Sequence, residues 1–186
     1  MLKKCYYIFA FLVLLLYSCI EEGLVSSKYS KYTAHFSCDN VRNNIPLNAA
    51  LTSGGANIFC SLYPTLNGQW EAKTPSLEPY LMPMSDIDRY KTLIYINGFI
   101  VGQSNSPDMT TGELEIMCFD LVCPTCYDKT GISRSLEVND MGKATCSRCK
   151  LTYDLNTGLC EGNGRILERY QAVYFPDQGK FVVRNR

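Results

Sequence analysis

The chain has 186 residues, with 18 basic and 18 acidic side chains that cancel to a formal net charge of zero. That balance excludes a partner held by bulk charge, nucleic acid above all. Apolar residues make up 46% and charged residues 19%, which excludes a disordered chain and fits a globular domain.

Lys3 and Lys4 open the chain, and Tyr6 to Leu16 follow as an apolar run. A helix needs about 20 apolar residues to cross a bilayer, so this run is too short to span and reads as the core of a secretory signal. It ends in Leu16-Tyr17-Ser18-Cys19, which resembles the lipobox of bacterial lipoproteins. The resemblance implies cleavage before Cys19 and acylation of that cysteine, hence a bacterial cell envelope location, periplasmic or surface-exposed, with the membrane reached through lipid. Residues 1–18 are then the signal peptide. Their loss removes Lys3 and Lys4 and no acid, so 18 basic side chains become 16 against 18 acidic, a net charge of −2. Residues 19–31 are polar, with Gly23, Ser26, Ser27 and Ser30, and read as a lipidated N-terminus and flexible tether. Residues 32–186 remain, about 150 residues, enough for one domain with its own core.

Thirteen tyrosines and eight phenylalanines, with Val and Ile runs, favour strands over helices. Asn48 to Leu51 and Asn57 to Leu62 flank Thr-Ser-Gly-Gly-Ala and read as a hairpin. The proline-rich stretch from Thr65 to Asp88 reads as a long loop, with one helical turn near Ser85 to Tyr90. Thr92 to Ile96, Asn97-Gly98 and Phe99 to Val101 give the strongest hairpin signal, because Asn-Gly suits two positive-φ positions. Glu113 to Phe119 alternates as a half-buried strand, with Leu114, Ile116 and Cys118 inward. Lys150 to Leu155 is a short strand stopped by Asn156-Thr157-Gly158. Ile166 to Phe175 and Lys180 to Arg184 close the chain as a hairpin. The expected fold class is all-β and antiparallel.

The chemistry is concentrated in four cysteines, Cys123-Pro-Thr-Cys126 and Cys146-Ser-Arg-Cys149, a C-x2-C-x19-C-x2-C pattern. Two residues between thiolates let both sulfurs face one ion, and two such knuckles close a tetrahedral S4 shell suited to zinc or iron. A metal subdomain of about 118–160 follows. Three states of the quartet compete: Zn2+ in a closed structural shell, an electron-transfer centre of mononuclear iron or [2Fe–2S], and disulfides formed outside the cytosol. The signal lacks twin arginine and looks like a Sec substrate. Sec passes unfolded chains, so a cluster assembled in the cytosol does not travel with the protein, whereas zinc binds after export. That ordering favours zinc. A thioredoxin-like reading of Cys123-Pro-Thr-Cys126 needs a helix start, and Tyr127 to Ser133 has little helical character.

From about Phe99 onward the order of features resembles a Rieske domain. A strand runs into Cys123-Pro124, Cys146 to Cys149 is followed by Tyr153-Asp154 and Thr157-Gly158, and a hairpin closes the chain. The resemblance implies a Rieske-like β-sandwich with a small metal-binding hairpin subdomain, with Cys123 and Cys146 at the family's cysteine positions. Cys126 and Cys149 stand where that family has histidines, and the only histidine, His35, lies far upstream. A cluster with two imidazole ligands is excluded on that inventory.

Among the other cysteines, Cys5 leaves with the signal. Cys38, Cys60, Cys118 and Cys160 read as small buried hydrophobes, with disulfides as the alternative. His35 reads as a lone polar side chain, and Trp70 as a core residue or a loop anchor rather than a ligand platform. No nucleophile–base set, phosphate-cradling loop or marked carboxylate pair is present. The expected function is a non-enzymatic binding or interaction protein of the envelope, with an unidentified envelope protein as partner.

Overall fold

A computed structural model describes residues 34–90 and 97–185. The signal peptide, Cys19, the tether and the first arm of the Asn97-Gly98 hairpin lie outside the described residues. Three antiparallel sheets dominate the fold, so the all-β expectation holds.

Strands β1 (His35–Cys38), β11 (Lys180–Arg184) and β10 (Gln171–Phe175) form one sheet in the order β1-β11-β10. Strands β2 (Phe59–Pro64), β3 (Gln69–Lys73), β4 (Tyr80–Pro83), β5 (Phe99–Pro107) and β6 (Leu114–Asp120) form a second, ordered β4-β3-β2-β5-β6. The two pack face to face over an aromatic core. Phe36 meets Trp70 edge-on at 5.1 Å, with Phe99 and Phe181 beside them. Helix α1 (Ile45–Thr52) adds Leu47, Ala50 and Leu51 to that core.

Side chains alternate along a strand, so the five-stranded sheet has a second face. Cys60, Leu62, Phe99, Val101 and Cys118 enter the sandwich core, while Phe59, Ile100, Met117 and Phe119 point the other way. That outer face is covered by a third sheet, β7 (Leu136–Val138), β8 (Lys143–Cys146) and β9 (Thr152–Asp154), ordered β7-β8-β9. Leu121, Leu136, Ala144, Tyr153, Leu155 and Leu167 complete a second core with it.

Several expectations are corrected. Asn48 to Leu51 is no hairpin arm but the body of α1. The Asn44 side chain caps that helix by accepting the Leu47 N–H at 3.1 Å, and Pro46 sits in its first turn, where a missing N–H costs little. The stretch read as a long loop contains β3 and β4, and its helical turn is α2 (Asp86–Tyr90). His35 is not alone: its Nδ1 lies 2.8 Å from a carboxylate oxygen of buried Asp88. Ser85 Oγ donates to the other Asp88 oxygen, at 2.7 Å, and not to His35, so the three do not form a nucleophilic triad. Trp70 is core, as expected, and Cys38, Cys60 and Cys118 are buried free thiols.

Asp120 sits where the two cores meet. Its carboxylate accepts the Val122 N–H at 2.7 Å and the Tyr170 hydroxyl at 2.8 Å. Burial outweighs both donors and pushes its pKa up to about 7. An unfolded chain ionises this group near pH 4. The folded protein therefore holds a proton that the unfolded chain has lost, and stability from Asp120 is complete below about pH 4 and drains away as pH rises through about 7. Asp120→Asn removes the ionisation, keeps an oxygen to accept the Val122 N–H, and leaves the amide nitrogen to donate to the Tyr170 oxygen, whose hydroxyl turns away. Urea denaturation should show the variant level with the parent at pH 4 and more stable by at least ~2 kcal/mol at pH 8. A gap that stays constant across that range contradicts this reading.

Candidate metal centre

The first cysteine pair lies at a helix start, not on a hairpin tip, which corrects the reading of Tyr127 to Ser133 as non-helical. Cys123 is the N-cap of α3 (Pro124–Thr130), Pro124 occupies the first turn, and the Tyr127 N–H returns to the Cys123 carbonyl at 3.1 Å. Gly131, at φ 69°, ends the helix by donating to the Tyr127 carbonyl at 2.6 Å. The chain before the pair is tied to the chain after it, with Cys123 N–H on Arg134 O at 2.7 Å and Leu136 N–H on Leu121 O at 2.8 Å.

The second pair is at a hairpin tip, as expected. Strand β8 ends on Cys146 and β9 begins at Thr152. Between them Lys150 adopts φ 61° and donates to the Cys146 carbonyl at 2.9 Å, and the Cys146 N–H reaches Leu151 O at 3.0 Å. The turn brings Cys149 back beside Cys146.

The four predicted ligands converge. Their sulfurs all lie within 4.8 Å of one another. Between the knuckles, Cys123 lies 3.6 Å from Cys149 and Cys126 lies 3.6 Å from Cys146. Four thiolates about 2.3 Å from a common tetrahedral centre stand about 3.8 Å apart, so the set fits a metal ion. Cys123, Cys126 and Cys146 are buried, and Cys149 is half-buried.

Burial opposes ionisation of these thiols. It raises the pKa of Cys123 and pushes Cys126 up to about 11, where hydrogen bonds with Cys146 and Cys149 add to the shift. At Cys146 burial acts the same way but is overcome by the N–H groups of Cys149 and Arg148 and by the Cys149 and Cys126 thiols, so its pKa falls. The surroundings thus favour the thiolate at Cys146 and oppose it at Cys123 and Cys126, where a bound cation would supply the missing stabilisation.

A second set of side chains orients the site. Tyr153, fully buried on β9, places its hydroxyl 3.4 Å from Cys123 Sγ and 3.1 Å from Thr125 Oγ1. Thr125 Oγ1 also accepts the Arg165 N–H at 3.0 Å. With Cys123 as a thiolate, the Tyr153 O–H donates to its sulfur, and the Thr125 O–H then donates to Tyr153. Burial holds the Tyr153 pKa above that of a free tyrosine, so it stays a donor. The segment carrying Arg165 lies over the knuckles. A Cβ on Gly164 would come within 2.5 Å of Cys160 Sγ and 2.9 Å of Leu151 Cδ1. Cys160, half-buried, packs against this second core as a free thiol. The sequence reading named Tyr153 only as part of a strand end and missed Thr125 and Gly164. A threonine inside the first knuckle, and a tyrosine four residues past the last cysteine, were the available signals.

His35 and Trp70 belong to the sandwich and its edge, away from this cluster. The chain matches no protein-family model, no curated protein and no solved structure.

Two variants probe the surroundings of the quartet. Tyr153→Phe removes the donor to Cys123 and should weaken metal binding by about 10- to 100-fold in a chelator competition, as loss of an outer hydrogen bond to a ligand does. Unchanged affinity means that the hydroxyl has no part in ligation. Gly164→Ala should lower the melting temperature by several degrees, equivalent to about 1–3 kcal/mol of overpacking, with faster metal release. Wild-type melting and release show that the segment yields freely.

Proposed function

We propose that this chain is a lipid-anchored protein of the bacterial cell envelope in which Cys123, Cys126, Cys146 and Cys149 hold one zinc ion. The zinc is structural, and the protein works by binding a partner rather than by catalysis. The observation that carries the reading is the compactness of the quartet, with no sulfur more than 4.8 Å from any other. A two-iron cluster divides its thiolates between two metals and spreads them apart by the iron–iron separation as well. A single ion needs no such spread. Four protein ligands leave a zinc ion no open position, so it fastens the first knuckle to the second and does no chemistry of its own.

The Rieske-like reading draws support from the order of elements. Strand β6 leads into the first pair, the second pair occupies the β8–β9 tip, and β10 and β11 close the chain. Envelope placement rests on the Tyr6 to Leu16 apolar run and on Cys19, and zinc over iron rests on Sec export of an unfolded chain. The runner-up is an electron carrier with mononuclear iron, which the same sulfur spacing would accept.

The test is metal analysis and a visible spectrum of the full chain purified from membranes. One zinc per chain and no visible absorption are expected. Stoichiometric iron with a coloured spectrum establishes the electron carrier instead, and no metal with no free thiol establishes disulfides. Cys146→Ser should release the zinc and strip hydrogen-exchange protection from residues 121–155 while the sandwich core stays protected. Full protection of 121–155 in that variant contradicts a metal-built subdomain. Cys19→Ser should move the protein out of the membrane fraction, and retention there removes the lipid anchor from the proposal.

A further inference from the structure

Strands β6 and β10 are each the last strand of their sheet, and they face each other across one side of the sandwich. They meet at one end. Phe119 and Arg169 form a single antiparallel bridge, the Asp120 N–H reaches Glu168 O at 2.9 Å, and the Tyr170 N–H reaches Cys118 O at 2.9 Å. Continued in the same register, Ile116 would pair with Ala172 and Leu114 with Tyr174. The ladder stops instead, and the edges part around a cleft of about 600 Å³.

Alternation fixes which backbone groups face that cleft. Cys118 and Tyr170 point across it at the closed end, so the N–H and C=O groups of Leu114 and Ile116 on one wall, and of Ala172 and Tyr174 on the other, point the same way. None of these four enters a ladder on that side among the described residues. Packed sheets stand about 10 Å apart and hydrogen-bonded strands about 4.8 Å apart, so edges that part toward sheet separation leave room for one intervening strand. The inner side of the gap is apolar, because Ile116, Ala172 and Tyr174 pack half-buried against the sandwich core. Its outer rim is acidic. Arg169 is occupied by Glu115, and Glu113 carries a carboxylate without an ion pair among the described residues.

We propose that this cleft takes an extended peptide segment of another protein, added as a strand between β6 and β10, with apolar side chains inward and a basic side chain opposite Glu113. The proposal rests on the reading of the chain as a binding protein and gives the chemistry of its partner, but it does not depend on which metal the cysteines hold. Because β6 and β10 run antiparallel to each other, the added strand is parallel to one and antiparallel to the other. Its backbone supplies the hydrogen bonds and its alternate side chains supply the selection.

The probe is an acetylated and amidated hexapeptide, Val-Lys-Val-Thr-Val-Lys, titrated into the full chain in detergent micelles and followed by amide chemical shifts, with metal content measured on the same sample. Shifts confined to residues 113–118 and 169–175 are expected. A version N-methylated at alternate backbone nitrogens should bind at least about tenfold more weakly, and a Glu-for-Lys version should also be weaker. Ala172→Pro deletes one N–H that faces the cleft, leaves the β11 ladder intact, and should weaken binding by about tenfold as well. Should that variant fail to fold, the N-methylated peptide carries the same test. No shifts at millimolar peptide, shifts elsewhere, or affinity indifferent to N-methylation overturns the cleft proposal. With the metal present in that sample, such a failure leaves the zinc reading standing.

Discussion

Phe59, Ile100, Met117 and Phe119 point away from the sandwich, and something has to cover them. Each large apolar side chain left in water forgoes about 1.5–3 kcal/mol. The cover is the β7-β8-β9 sheet, whose strands have only three or four residues each and could not stand alone as a hydrophobic unit. The two needs meet at one surface. The five-stranded sheet offers the small one a preformed apolar wall, and the small sheet gives that wall its second core. The cysteine cluster is positioned from this contact. Cys146 ends a strand lying on the wall, Tyr153 comes from the next strand, and Cys123 follows directly from β6, which is part of the wall itself.

Packing brings the knuckles close but leaves an electrostatic conflict. Four thiols are collected where burial raises the pKa of two of them, while the fixed donors favour ionisation at Cys146 and, through Tyr153, assist at Cys123. Neutral thiols in contact at 3.6 Å gain little from one another. A metal cation at the centre would act against that conflict, because its charge favours the thiolate form that burial opposes. The arrangement is economical in donors: one helix start, one hairpin tip and one tyrosine. It needs no positively charged side chain next to the sulfurs.

What the sequence disclosed, it disclosed through local rules. Two C-x-x-C pairs name their own ligands, because knuckle geometry is set by four consecutive residues. Alternation in Glu113 to Phe119 marked β6. The misreadings have equally local causes. At Asn48 to Leu51 the glycines after the segment were weighed and the Asn44-Ile45-Pro46 helix start before it was not. At Cys123 to Thr130 the expectation of a ligand-bearing hairpin masked Pro124 at the first turn and Gly131 at the end, which together delimit a helix. Strand β6 was read as half-buried, yet Met117 and Phe119 are covered too, since the second core is assembled from residues distant in sequence. His35 and Asp88 are 53 positions apart, and no local pattern joins them.

Strand β6 shows how one stretch of chain serves three surroundings. Cys118 fills the sandwich core, Met117 and Phe119 fill the second core, and the strand's last residue, Asp120, hydrogen-bonds to Tyr170 and leads within three positions to Cys123. Among the described residues, its first half pairs with β5 alone. Phe36, Trp70 and Phe99 pack between the sheets, and β6 bridges β10 at the corner where Phe119 meets Arg169. Beyond that corner, closing the ladder from Ile116 to Ala172 would require the sheets to come within strand spacing, at about half the separation that packed side chains demand. The same aromatic packing that stabilises the sandwich therefore keeps its edge open, and the opening follows from the core as directly as the metal site follows from the wall.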